Sequence, residues 1–328
     1  MEPLRFIPIL KRIRWGGVRL GTQLQKPVGS HTDYAESWEI ADHGTDQSIV
    51  VDGEFAGTSL TRLIGEHSRP LFGTETGIEA ETGIRQFPLL IKYLDANDWL
   101  SLQVHPNDQQ AKSFDPQENG KTEAWVIMDA APESRICAGL KSGVTEVQLR
   151  ESIQDGTVES CLNMIPVRAG DCVFVPAGTV HAIGPGILLA EIQQQSNLTF
   201  RLHDWGRLGT HGKPREIHIE ESLACTDFSR GPVFPSQPTK VIRYNDSVEE
   251  LCSCAYFTVY RHRTETDFSI PDDGKFRILM SLDGAGTVQT RRGKTPLTKG
   301  STILLPAQRD AISVVPQNPV TVLEIFQP

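Results

Sequence analysis

Short runs rich in Val, Ile, Leu and Phe recur along the chain, each bounded by Gly, Pro, Asn or Asp. That is the pattern of many short strands joined by turns. It predicts strands over Trp99–His105, Ala124–Met128, Asp171–Val175, Ile187–Gln193, Thr199–Leu202, Phe257–Arg261, Phe276–Leu282, Thr302–Leu305 and Val320–Phe326. Helical spacing is rarer. Ser59 followed by Leu60, Leu63 and Ile64 predicts one helix. Thr145 with Gln148 makes a capping box ahead of Val147, Leu149 and Ile153, and Gly156 stops that helix. Ile219–Cys225 is a third candidate. The reading is a mainly β protein.

At roughly 150 residues per domain, 328 residues suggest two domains. Three prolines between Ser229 and Pro238, with no periodicity around them, read as a crossing segment. The expected organisation is therefore a first domain over 1–230, a linker over 231–240 and a smaller second domain over 241–328. A weak repeat relates the two. Gly170-Asp-Cys-Val-Phe-Val175-Pro176-Ala177 parallels Gly300-Ser-Thr-Ile-Leu-Leu305-Pro306-Ala307, each a turn glycine, an apolar strand and Pro-Ala. The first copy runs on to His181. The second has Ala311 at the equivalent position, so it lacks that ligand and is expected to hold no metal.

Composition narrows the class. Hydrophobic residues make up 38% and charged residues 22%, which excludes disorder as the main state. The net charge of −9, with no Lys/Arg block, argues against binding to nucleic acid or to an anionic membrane surface. No apolar run approaches the ~20 residues of a membrane helix, and the N-terminal run Phe6–Leu10 is too short and wrongly flanked for a signal peptide. The six scattered cysteines read as reduced thiols, mostly core filler, and the expected location is the cytoplasm. An anionic ligand would need a locally basic pocket. The sequence does not give an oligomeric state.

Three segments carry candidate chemistry. In Leu100-Ser-Leu-Gln103-Val-His105, strand alternation puts Leu100, Leu102 and Val104 on one face and Gln103 and His105 on the other. In Gly120-Lys121-Thr-Glu123-Ala-Trp125-Val126, Lys121, Glu123 and Trp125 share a face, which in isolation is also the pattern of a solvated strand. Gly170-x5-Pro176-x-Gly178-x2-His181 has the spacing of the second conserved motif of cupin barrels. Together they supply two imidazoles, a carboxylate and an amide oxygen, a set that suits Zn²⁺ or Fe²⁺ and leaves room for water or substrate. The remaining histidines, His31, His43, His67, His211, His218 and His262, stand outside any ligand spacing and read as surface or capping residues. Asp283-Gly-Ala-Gly286 is a turn between strands and not a phosphate loop, because no helix pattern follows.

Gln103-Val-His105-Pro-Asn-Asp108, Gly120-Lys121-Thr-Glu123-Ala-Trp125, Val175-Pro176-Ala-Gly178-Thr-Val-His181-Ala182 and Leu188-Leu-Ala-Glu191-x9-Arg201 together resemble the type I mannose-6-phosphate isomerases, particularly their short bacterial form. Trp15-Gly16-Gly17 and Glu36-Ser-Trp-Glu39 extend the resemblance over about residues 5–220. It implies a catalytic cupin (jelly-roll) barrel with helical additions, followed by a degenerate cupin-like domain. It also implies one Zn²⁺ per chain, held by Gln103, His105, Glu123 and His181, and interconversion of mannose 6-phosphate and fructose 6-phosphate through an enediol. The family's catalytic arginine falls on Arg201. One departure is Asn197, where many members carry aspartate four residues before that arginine.

The chemistry fits independently. Moving a proton between two sugar carbons needs a base, charge stabilisation at oxygen and exclusion of water. A metal can polarise the sugar oxygens, and Arg201 can stabilise an enediolate or grip phosphate. Lys121 is placed to touch the same substrate, as is Glu191. The proton carrier is left open among Lys121, Glu191, His203 and a metal-bound water. The rival readings are a cupin-type metal oxidoreductase and a non-catalytic sugar-phosphate sensor.

Overall fold

The structure is a computed structural model that describes residues 1–73, 86–208, 212–241 and 248–328. The first 230 residues build two large sheets that face each other, with two small two-stranded ones beside them. One large sheet has five strands, in spatial order Leu162–Pro166, Arg135–Leu140, His181–Ile183, Leu102–Val104 and Phe200–His203. The other has six: Cys172–Val175, Glu123–Ala130, Ile187–Gln194, Leu89–Ala96, Tyr34–Ile40 and Ile9–Gly17. Between them lies a buried layer that includes Trp125, Ile127, Val173, Val175, Ile183 and Leu189. Nonlocal, antiparallel strand order around a filled interior is the jelly-roll arrangement.

The last ninety residues repeat the plan at smaller scale. A six-stranded sheet includes Val248–Ser253, Thr258–Thr264, Val320–Phe326, Arg277–Asp283 and Thr302–Leu305, and a four-stranded sheet runs Phe268–Ile270, Ile312–Pro316, Ala285–Gln289, Lys294–Thr298. Leu279, Val288, Leu297, Ile303 and Val322 fill the space between them.

The two six-stranded sheets pack back to back. Ile91, Tyr93, Ala124, Val126, Ala190 and Ile192 from the first meet Phe257, Val259, Ile278, Met280, Leu323 and Ile325 from the second in one apolar cluster. This explains why every residue of Leu89–Ala96 and Ile187–Gln194 is buried, since a strand covered on both faces has no solvent side to alternate toward. Alternation still decides function there. Leu188, Ala190 and Ile192 face the second lobe, while Leu189, Glu191 and Gln193 face the barrel interior. The chain start reinforces the junction, because Leu4 exchanges backbone hydrogen bonds with Leu304 at 2.8 and 2.9 Å.

The crossing segment leaves the first lobe in contact with it, with Val233 N–H donating to Ala138 O at 2.9 Å and Ser236 N–H to Cys172 O at 2.7 Å. Thr239–Lys240 then joins the second lobe's sheet. The three expected helices form over Leu60–Phe72, Glu146–Gln154 and Ile219–Cys225, and the Thr145–Gln148 capping box closes as read. All six cysteines are free, and four are buried.

Three readings are corrected. A further helix, Asp108–Phe114, follows His105, started by a capping box between Asn107 and Gln110. Leu100 does not share a face with Leu102 and Val104; it precedes the strand, where alternation does not yet hold, and packs into the barrel interior. His262 is neither a surface nor a capping residue: it is 1% exposed, with Nε2 2.7 Å from Glu324, because its strand is also covered on both faces. His211 lies outside the described residues. No described helix is long and apolar enough to cross a membrane.

Candidate active site

Strand register sets the geometry. His181 lies directly opposite Gln103, and Gln103 directly opposite Arg201, on three neighbouring strands. Paired residues in a sheet present their side chains on the same face, so this row points into the barrel. The facing sheet supplies a second row, Lys92, Glu191 and Trp125, with Glu123 two positions before Trp125. The turn ending in Gly178 delivers His181. Gly178 has φ +85°, and its N–H donates to His105 O at 2.8 Å, which ties the two histidine segments together.

His105 Nε2 sits 3.6 Å from one carboxylate oxygen of Glu123, and His181 Nε2 sits 3.4 Å from the other. These ligand atoms all lie within 4.8 Å of one another. Each imidazole is oriented from behind, with His105 Nδ1 3.0 Å from Leu198 O and His181 Nδ1 2.8 Å from Thr179 O. A carbonyl only accepts, so both Nδ1 atoms carry the proton and both Nε2 lone pairs point into the cluster, that of His105 accepting from Lys121 Nζ at 3.0 Å. Burial pushes both imidazoles below their ordinary range, His181 to about 4, so they are neutral, as metal ligation requires. The same burial raises the Glu123 carboxyl, against the pull of Lys121. Both Glu123 oxygens are buried without an aligned hydrogen-bond donor, although Lys121 Nζ lies 3.1 Å from one. A buried carboxylate facing two lone pairs is an arrangement a divalent cation would satisfy. Gln103 borders this group, its amide nitrogen 3.2 Å from His181 Nε2; a half-turn of the amide presents its oxygen instead.

Beside the cluster opens a cavity of about 350 Å³, a size suited to a small ligand. Lys121, Glu191 and Arg201 all line it, with Gln103 and Asn197. His203 is not among the lining residues; its Nδ1 accepts the Trp205 N–H at 3.1 Å. Lys92 and Arg215 also line the cavity and were not singled out from the sequence, as does Glu36, which the sequence offered only as part of the Glu36–Glu39 resemblance. The one available signal was a lysine inside the mostly apolar run Leu89–Leu94. Lys92 Nζ lies 2.9 Å from Glu191 and 3.6 Å from Glu36, while Trp125 Nε1–H donates to the other Glu191 oxygen at 3.2 Å. Burial works to raise the Glu191 carboxyl, but the Lys92 and Lys121 ammoniums outweigh it and hold the group below its ordinary range. Glu191 is therefore an anion inside the cavity, with both oxygens engaged.

Fold and site together define a cupin with a buried, metal-competent His–Glu–His cluster, separated by Gln103 and Lys121 from a charged, sugar-sized cavity. Residues 4–130 match the catalytic domain of type I phosphomannose isomerases, and residues 247–321 match the mannose-6-phosphate isomerase cupin domain. The chain is 36% identical over 310 residues to mannose-6-phosphate isomerase ManA of Bacillus subtilis (strain 168), covering 93% of each protein. It is 34% identical to a mannose-6-phosphate isomerase of Streptococcus mutans, over 93% of this chain and 92% of the other. The crystal structure of a Bacillus subtilis mannose 6-phosphate isomerase superposes with a TM-score of 0.89 at 29% identity over the whole of both chains. The chain belongs to the type I mannose-6-phosphate isomerase family.

Proposed function

We propose that this protein interconverts mannose 6-phosphate and fructose 6-phosphate in the cytoplasm, with one Zn²⁺ per chain held by Gln103, His105, Glu123 and His181. The observation that carries the reading is the convergence of Lys121, Glu191 and Arg201 on one cavity that abuts the His105–Glu123–His181 cluster. The donor set, two neutral imidazole nitrogens with a carboxylate and an amide oxygen, suits zinc. When bound, the ion would polarise the sugar oxygens and stabilise charge developing on them.

The chain's own residues supply the rest. The reaction removes the proton from carbon 2 of the aldose and protonates oxygen 1 to give the enediol, then returns a proton to carbon 1 while oxygen 2 gives up its hydroxyl proton and becomes the ketone. Arg201 is the stabiliser of the enediolate: its planar fork can engage two oxygens at once. Lys121 Nζ, which is buried, donates to the sugar oxygens and carries protons to and from them. Glu191, ionised and braced by Lys92 and Trp125, orients the sugar hydroxyls. Of the protein groups considered for the carbon-bound proton, Lys121 and Glu191 face the cavity and His203 does not. Ile13, Trp15, Leu94 and Leu100 give one part of the same space an apolar wall. The residues 1–230, with both histidines, would form the catalytic unit, and 241–328 a supporting one.

The test is a coupled assay in which purified protein receives mannose 6-phosphate and fructose 6-phosphate is converted onward to an NADPH signal. Turnover that is lost with a chelator and restored by Zn²⁺ is the expected result. Binding of the sugar phosphate by metal-loaded protein without turnover would leave a sensor. Substrate-dependent oxygen consumption without isomerisation would leave an oxidoreductase.

A further inference from the structure

The charges around the cavity are not evenly balanced. Lys92 is matched by Glu191 and Glu36, and Lys121 by Glu123. The other end differs. Arg201 donates from one terminal nitrogen to Glu216 O at 2.8 Å, and among the described residues it makes no ion pair with a carboxylate. Arg215 lines the cavity beside it. Its Nε–H donates to one oxygen of Asp204 at 2.7 Å and a terminal nitrogen donates to the other. The same Asp204 carboxylate also takes a terminal nitrogen of Arg207 at 2.7 Å. One nearly buried carboxylate thus anchors two guanidiniums while a third stands close by. Burial lowers Arg201 below its ordinary value, and repulsion from Arg215 and Arg207 adds to the effect while Asp204 and Glu216 offset part of it. Cations that repel across a shared space are held there by the scaffold, and a bound dianion would relieve them.

We propose that Arg215, locked in place by Asp204, is the residue that reads the phosphate group of the substrate, with Asp204 as its positioning residue. This rests on the sugar-phosphate reading above and assigns that substrate an orientation. The bidentate grip of Asp204 uses one edge of the Arg215 guanidinium and leaves its remaining terminal N–H groups for an incoming oxyanion. Arg207 is also paired with Asp98 at 3.2 Å, so Asp204 and Asp98 set against Arg201, Arg207 and Arg215 leave one positive charge unmatched, and a phosphate monoester, about −1.5 to −2 at neutral pH, would supply the missing counter-charge. The sugar then reaches inward past Arg201 to Gln103 and Lys121. Arg201 lies between the phosphate end and the metal cluster, where its role in the enediolate step requires it. An unphosphorylated hexose would lose this anchor and only this anchor.

The experiment compares zinc-loaded wild type with Arg215→Met, Arg215→Lys and Asp204→Asn, using mannose 6-phosphate, unphosphorylated mannose, and inorganic phosphate as inhibitor. Removing one charge-assisted contact to phosphate is expected to raise KM for mannose 6-phosphate about 10–100-fold with far less change in kcat. The inhibition constant for phosphate should rise in parallel, and the preference for mannose 6-phosphate over mannose should fall by the same factor. Arg215→Lys should recover part of the KM, and Asp204→Asn should shift KM in the same direction by less. A KM for mannose 6-phosphate within about twofold of wild type in Arg215→Met, or an equal loss on both sugars, would overturn the proposal. If Asp204→Asn fails to fold, the two Arg215 variants still decide, since that side chain is 23% exposed. Should wild type turn over no mannose 6-phosphate, the functional reading fails first, and calorimetric titration of phosphate into wild type and Arg215→Met then tests the anion site alone.

Discussion

Replacing Lys92 with methionine isolates one charge. The ammonium is 4% exposed, lies 2.9 Å from Glu191 and 3.6 Å from Glu36, and sits 5.2 Å from the Trp38 ring centroid. Methionine keeps most of the apolar stem, so little of the effect comes from a cavity. Glu191 would retain only its bond from Trp125, and Glu36 its bond from Trp38 at 2.6 Å. Removing one member of a buried ion pair costs about 3–5 kcal/mol, because the other charge is left uncompensated. That is two to nearly four orders of magnitude in the folding constant. Equilibrium urea unfolding at pH 7, followed by tryptophan fluorescence, should show this loss, and Lys92→Met with Glu191→Gln should recover much of it. The pH dependence has a defined sign. The Lys92 ammonium is held above its ordinary 10.5, so its contribution is complete below that value and fades only in strong alkali. Glu191 is held below its ordinary 4.5, so its contribution is complete above that value and is lost in more acid solution. The gap between wild type and variant should therefore be widest near neutrality and narrow on acidification below 4.5. A loss under about 1 kcal/mol at pH 7, or a gap that widens in acid, would refute the reasoning.

Purified protein should carry close to one Zn²⁺ per chain by elemental analysis, and His181→Ala should lose it, whereas an Ala311 substitution in the second lobe should not. Active, folded protein with no divalent metal would end the metal assignment. Arg201→Lys should keep fold and metal but lose about 10²–10³ in kcat, because a lysine supplies charge without the fork of donors; a loss confined to KM would move Arg201 to substrate binding only. Gly178→Ala should destabilise by more than about 1 kcal/mol, since φ is +85° and the new Cβ would stand 3.1 Å from Cys225 O. Metal affinity should fall with it, and an unchanged unfolding midpoint would show that the turn is not held as described.

The strands that deliver ligands were legible because each obeys a local rule. Gln103, Glu123 and His181 sit in short alternating runs, and a turn glycine or a proline marks where each run starts or stops. The Asp108–Phe114 helix was legible in principle, since Asn107 and Gln110 have capping spacing; it is only two turns long and carries little apolar period. Lys92, Arg215 and His262 were not legible, for a different reason. Their environment comes from the packing of one sheet on another, or from a loop folding back to Asp204, and no local pattern encodes which second surface will cover a strand. A charged residue inside a run such as Leu89–Ala96 marks that something must pair with it, but Glu191 is ninety-nine residues away.

The pairing of Leu4 with Leu304 also constrains how the protein is made. As the chain leaves the ribosome at about 5–20 residues per second, the partner of Leu4 follows roughly 15–60 s later. Throughout that interval the outer face of the first lobe's six-stranded sheet, with Ile91, Tyr93 and Val126, waits without the second lobe that buries it. The nascent first lobe is then a half-finished sandwich with an adhesive side, a substrate for chaperones and a hazard on crowded polysomes. Slow codons late in the message would lengthen that exposure and lower the yield of native protein while changing no residue of the active site.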